Sequence, residues 1–128
     1  MNLAPWDSNV KYEVIQSAPK DSPKAKVGDL VAIRFRGDYK GQVFDDTFKT
    51  EEPYFYRAGV GQLVKGLDDA VVQMQVGDRW RLEFGGDLGF GSKGKPSSPG
   101  KARIPPNAVI DFEAIHLRRY HLINDIPK

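Results

Sequence analysis

The sequence predicts an α+β domain, an antiparallel sheet carrying one helix, and three observations predict it. From Leu30 to Tyr39 the residues alternate, with Val31, Ile33 and Phe35 on one face and Arg34 and Arg36 on the other, as in an antiparallel strand buried on one side. Trp80, Leu82 and Phe84 repeat the pattern against Arg79, Arg81 and Glu83. Between Val64 and Met74 the period changes: Leu67, Ala70, Val71 and Met74 fall at i, i+3, i+4 and i+7, one apolar helical stripe.

Taken in order, Met1 to Asn9 shows no clear period and reads as a surface arm, with Trp6 as its anchor. Tyr12 to Ile15 reads as a short strand, and a Ser, Pro and Lys-rich connector leads to the turn at Gly28-Asp29. After the strand from Leu30, Asp38 to Gln42 supplies turn residues, Val43-Phe44-Asp45 resumes a strand, and Pro53 to Ala58 gives another. Gly77-Asp78 is the expected end of the helix. The Gly, Ser, Lys and Pro segment from Gly85 to Pro106 is long enough to suggest a functional loop. In the last strand, Ala108 to Leu117, the apolar phase switches from Ile110, Phe112 and Ala114 to Ile115 and Leu117, which predicts a bulge near Ala114. The resulting division is an arm with one strand over 1–25, a domain over 26–117 and an extension over 118–128.

At 128 residues the chain suits one domain. Its 19 Lys and Arg against 17 Asp and Glu demand no nucleic-acid partner. The absence of Cys excludes disulfides and thiol catalysis. His116 and His121, at the end of the last strand and beyond it, suit neither a hydrolase triad nor a metal site and read as solvated, so no metal or cofactor is expected. The glycines of Gly59 to Gly66 match no phosphate-binding pattern and read as a helix-entry turn. Lys93, Lys95, Lys101 and Arg103 gather on the long loop, where a solvated loop is the favoured reading over a nucleic-acid contact. No apolar run is long enough to span a membrane, and Met1 to Lys11 lacks the pattern of a secretory signal, so the domain is expected to be soluble.

Four stretches, in order, carry more information: Val43-Phe44-Asp45-Asp46, Gly61-Gln62-Leu63-Val64-Lys65-Gly66-Leu67, Gln73-Met74-Gln75-Val76-Gly77-Asp78 and Arg103-Ile104-Pro105-Pro106-Asn107-Ala108. Together, over about Lys26 to Leu117, they resemble the FKBP-type peptidyl-prolyl cis/trans isomerases. The resemblance implies a five- to six-stranded half-barrel wrapped around the helix, with a shallow apolar pocket that binds an X-Pro segment of a client protein. It assigns Phe44, Asp45 and Phe112 to catalysis, and Phe35, Tyr54, Leu63, Val64, Leu67, Phe90 and Ile104 to substrate binding. Among these, the Val64 N–H would bond a substrate carbonyl, Leu67 would form the floor, and Asp45 would be the polar group near the twisting amide.

The sequence also departs from that pattern. Phe35 and Phe90 stand where active members carry Tyr, Leu67 replaces a floor Trp, and Tyr54 and Thr50 replace Phe and Arg. These departures imply weak activity. They also raise an alternative, an FKBP-fold assembly subunit that holds a larger complex through the 93–104 loop and the termini. Lys101-Ala102-Arg103-Ile104-Pro105-Pro106-Asn107 is similar to loop-extended members of the chloroplast thylakoid lumen, which extends the alternative to a photosynthetic complex and that compartment.

Overall fold

The computed structural model describes residues 1–101 and 103–120. Among them seven strands form one sheet with every pairing antiparallel: β1 (Asn2–Ala4), β2 (Asp7–Gln16), β3 (Leu30–Tyr39), β4 (Gln42–Asp46), β5 (Tyr54–Arg57), β6 (Arg79–Phe84) and β7 (Ile110–Tyr120). A single α-helix, α1 (Lys65–Val71), lies between β5 and β6 in the chain. The order across the sheet is β1-β2-β6-β7-β3-β4, and it does not close. On its other side β3 pairs with β5 along its first half and with β4 along its second.

The helical stripe does what its spacing predicts. Leu67, Ala70, Val71 and Met74 are all 0 % exposed and share one core with Ile33, Phe35, Leu82, Phe84, Ile110 and Phe112. Full burial of such a side chain stabilises by roughly 1.5–3 kcal/mol. The helix is nevertheless shorter than the expected 64–74. After Val71 the chain tightens, with Gln73 N–H bonding the Ala70 carbonyl and Met74 N–H the Val71 carbonyl, three residues back in each case. The helix therefore stops well before Gly77-Asp78.

Three further expectations are corrected. The first nine residues are not a loose arm: β1 and the start of β2 extend the sheet, and Val10, 0 % exposed, continues the alternation of Tyr12 and Val14 backwards. Trp6 does anchor this segment, stacking on Trp80 at 5.5 Å and meeting Tyr12 edge-on at 5.3 Å. In β7 the inward alternation runs past Ala114 to His116, and the extra residue is Leu117, because Ala32 pairs with Arg118 while Ile33 pairs with His116. Arg118 to Tyr120, expected in the extension, belong to β7 and pair with β3. His121 and the rest of the extension lie outside the described residues.

His116 is 0 % exposed rather than solvated. Its burial is tolerated because the neutral ring can donate its one N–H to a backbone carbonyl, either that of Met74, 3.2 Å from Nδ1, or that of Arg118, 3.1 Å from Nε2. Desolvation lowers its pKa, and the two carbonyls oppose that shift without reversing it. The unfolded chain takes up a proton near pH 6.5. The folded chain resists it, so the stability tied to His116 is full above that pH and is lost as the pH falls from there towards the lower folded value. Urea unfolding midpoints are expected to fall between pH 7.5 and 5.5, and His116→Gln is expected to flatten this slope.

The long segment after β6 also has structure of its own among the described residues. It contains two 3₁₀ turns, Gly86–Leu88 and Gly91–Lys93, followed by a narrow hairpin in which Lys95 and Ile104 exchange backbone hydrogen bonds of 2.8 Å. Ser98 and Lys101 close its tip. Gly94, at φ 62°, lets the hairpin start, since a Cβ there would lie 2.3 Å from the Ile104 oxygen. No helix among the described residues is long and apolar enough to cross a membrane.

Candidate functional site

One aromatic group is built from five separate segments. β3 supplies Phe35, β4 Phe44, β5 Tyr54, β7 Phe112, and the turn between the two 3₁₀ helices Phe90. Phe112 lies 5.6 Å from Phe44 and 6.0 Å from Phe35; Phe44 meets Phe90 edge-on at 5.3 Å, and Phe35 meets Tyr54 edge-on at 5.7 Å. Edge-to-face pairs of this kind contribute about 0.5–1.5 kcal/mol beyond their burial.

A bulge and a glycine permit this convergence. Gly37 pairs with Asp45 and Asp38 with Val43, so Phe44 is the extra residue of β4. Its ring then lies over Gly37, where a Cβ would come within 2.6 Å of Phe44 Cζ and 2.7 Å of Phe112 Cε1. Gly37 is a site residue that the alternation of β3 did not announce.

The aliphatic set joins the same cluster: Leu67 and Ile104 are buried, and Leu63 and Val64 pack against them half-buried. Val64 is the residue before α1, and its carbonyl accepts bonds from Leu67 and Asp68 N–H. No described residue accepts a hydrogen bond from the Val64 N–H itself. Asp45 is exposed, and no ion pair or hydrogen bond joins its carboxylate to another described residue.

The turn that leads to Val64 is held by Asp68, which the sequence reading overlooked. Only 3 % exposed, it accepts Gly59 N–H at 2.7 Å and Gly61 N–H at 3.0 Å. Burial, and then the charge of Asp68, push the Tyr56 phenol well above its ordinary pKa. Asp68→Asn leaves one of the two glycine N–H groups facing a donor. It is expected to lower the unfolding free energy by about 1–3 kcal/mol in a urea titration.

A hollow at the edge of the ring group, bounded by Tyr39, Gln42, Val43, Phe44, Arg103 and Ile104, measures about 10 Å³, room for roughly one water. Hollows of about 450 and 580 Å³ lie elsewhere, on either side of Leu117 and Arg118. Lys95 covers the entrance, with Nζ 5.3 Å from the Phe90 ring centre and 5.9 Å from that of Phe44.

The family model of the FKBP-type peptidyl-prolyl cis-trans isomerases matches residues 21–117. The chain belongs to this family. Among its FKBP relatives, a peptidyl-prolyl cis-trans isomerase, FKBP16-3, chloroplastic, of Arabidopsis thaliana is 36 % identical over 108 residues, 84 % of this chain and 47 % of the relative. The chain thus spans about half the length of that relative. It spans more of FK506-binding protein 2 of Candida glabrata, with 32 % identity over 81 % of this chain and 76 % of the relative. For FK506-binding protein 1 of Saccharomyces cerevisiae the identity is 35 %, over 84 % of this chain and 90 % of the relative.

Against the FKBP pattern, the departures have visible local consequences. Thr50 directs its hydroxyl to the Thr47 and Glu52 carbonyls, and Arg34 binds the carbonyls of Thr47, Thr50 and Glu51, so the 47–52 turn is tied to itself. Leu67 is 0 % exposed, which makes it part of the core shared with the rings.

Proposed function

We propose that the protein is a peptidyl-prolyl cis/trans isomerase of weak activity, acting on X-Pro bonds of client proteins. The observation that carries the proposal is the five-ring group beside an unpaired Val64 N–H. The reaction needs no acid, base or nucleophile, because the barrier of about 18–20 kcal/mol comes from amide resonance. Resonance is lost in the twisted amide, and a dry aromatic cleft that binds the twisted form better than the planar one lowers the barrier.

In this reading Phe44 and Phe112 flank the proline ring, with Phe35 and Tyr54 behind them and Ile104 and Leu63 alongside. Phe90 moves with the entrance. The Val64 N–H holds a substrate carbonyl in register, and Asp45, at the rim, faces the twisting group. Activity is weak because Phe35 and Phe90 lack hydroxyls, each worth about 0.5–1.5 kcal/mol as a ligand hydrogen bond.

Titration of isotope-labelled protein with an Ala-Leu-Pro-Phe peptide tests where substrate binds. The Val64 amide resonance is expected to move saturably downfield as it gains an acceptor. Shifts confined to the surroundings of Leu117 and Arg118, with Val64 unmoved, would place binding elsewhere and defeat the reading.

A second reading, the FKBP-fold assembly subunit of a larger, photosynthetic complex, draws support from the exposed loop tip Pro96 to Lys101. Truncation after Tyr120 and substitution of the tip separate the two: a subunit loses its complex, whereas an isomerase keeps its rate on peptides. The thylakoid lumen is the compartment that goes with this second reading. The chloroplastic relative supports the chloroplast alone, and recovery of the protein from the stroma would contradict the lumen.

A further inference from the structure

Lys95 has no role in the reading above, yet its position is unusual for a loop lysine. Its backbone is fixed by the two hydrogen bonds to Ile104, itself 2 % exposed, and by Gly94 before it. Its side chain is half-buried and lies over Phe44 and Phe90 together, the two rings that meet at the entrance. An ammonium held over two ring faces at these distances is attracted to both. Among the described residues it forms no ion pair: Asp45, next to Phe44, and Asp87, three residues before Phe90, both lie outside ion-pair distance.

Two more cations border the same entrance. Arg103 lines the hollow beside Phe44 and Ile104, and Lys40 lies 5.5 Å above the ring of Tyr39, which also lines it. Three cations thus lie about the entrance, alongside the exposed carboxylates of Asp45 and Asp87, and the central ammonium rests on Phe44 and Phe90.

From this arrangement we infer that Lys95 is a specificity-determining residue that selects X-Pro segments carrying a carboxylate within two residues of the proline. The inference rests on the isomerase reading and deepens it. When a proline parts Phe44 from Phe90, Lys95 loses its ring contacts, and a carboxylate on the incoming segment replaces them. Arg103 and Lys40 add attraction at longer range, which steers acidic segments to the cleft. The partner class is an acidic, proline-containing stretch of a client protein.

Exchange spectroscopy on paired peptides tests this, with kcat/KM and binding both measured. One pair has Glu or Gln immediately before proline, and a second has Glu or Gln immediately after it. At low salt the wild type is expected to favour the Glu member of at least one pair by about 3- to 10-fold, a preference that shrinks as salt is raised. Lys95→Met keeps the apolar stem and is expected to bring the ratio close to 1, while Lys95→Arg retains it. Circular dichroism melting confirms that each variant is folded, and a second neutral variant, Lys95→Gln, replaces any that is not. Equal handling of Glu and Gln by an active wild type would overturn the role of Lys95 while leaving the isomerase reading intact, and so would a preference that survives Lys95→Met. Failure to bind or turn over any of the four peptides would overturn both.

Discussion

Replacing Phe112 by alanine is expected to lower the unfolding free energy by about 3–5 kcal/mol, a large part of the 5–15 kcal/mol typical of a domain. Phe112 is 4 % exposed and touches rings on every side: Phe35, Phe44 and, stacked at 5.6 Å, Phe84. Truncation leaves a cavity that these neighbours, each fixed on a different segment, fill poorly. Urea unfolding measures the loss directly. Phe112→Leu keeps much of the volume and should cost less stability while still removing an aromatic wall, so its isomerase rate should fall further than its stability does. A Phe112→Leu variant with unchanged kcat/KM would show that this ring supports the core alone.

The second large effect is expected at Gly37. Alanine there places a methyl group 2.6 Å from Phe44 and 2.7 Å from Phe112, and neither ring can retreat far, because Phe90 and Phe84 lie behind them. Overpacking of this kind costs about 1–3 kcal/mol. Both rings must also shift, so kcat/KM on an X-Pro peptide should fall by about tenfold or more, an effect that follows from misplacement of the walls. Gly41, in the same hairpin, gives the control. It has φ 82° and open space around its missing Cβ. Asparagine tolerates that conformation, and Gly41→Asn should leave both stability and rate almost unaltered. If Gly37→Ala behaves like Gly41→Asn, the close approach of the two rings is not what shapes the site.

These two residues also illustrate what sequence could and could not disclose. Phe112 stands in a strand whose alternation is plain, and its place among the pocket residues followed from the four motifs. Gly37 occupies an inward position of β3, but its purpose depends on Phe44 being the bulged residue of β4, a register that no local pattern encodes. The same reason explains His116. Alternation from Ile110 runs straight to it, but a buried imidazole is acceptable only because its N–H finds a backbone carbonyl, that of Met74, 42 residues earlier, or that of Arg118. Asp68 was passed over for a like reason, since its partners are backbone N–H groups of a preceding turn. The strand β1 and the start of β2 were hidden differently. Asp7, Ser8 and Asn9 are poor strand formers, and Val10 alone carried the period back beyond Tyr12. Across these cases, elements stabilised by their own periodicity were legible, and groups stabilised by distant backbone polar atoms were not.

For the site as a whole, ring-bearing positions were identified by resemblance, and the structure brings them together. Lys95 was counted among the cations of a solvated loop. Its placement over Phe44 and Phe90 depends on the pairing with Ile104, nine positions later, which the composition of the segment conceals.

The most direct test of the central claim is the exchange rate between cis and trans forms of an Ala-Leu-Pro-Phe peptide, measured by nuclear magnetic resonance with and without catalytic amounts of the wild-type protein. The account predicts exchange clearly faster than the uncatalysed rate, abolished by Gly37→Ala and unaffected by heat-unfolded protein. An uncatalysed rate in the presence of folded wild type would contradict it, and would leave an FKBP fold whose aromatic cleft does not isomerise proline bonds.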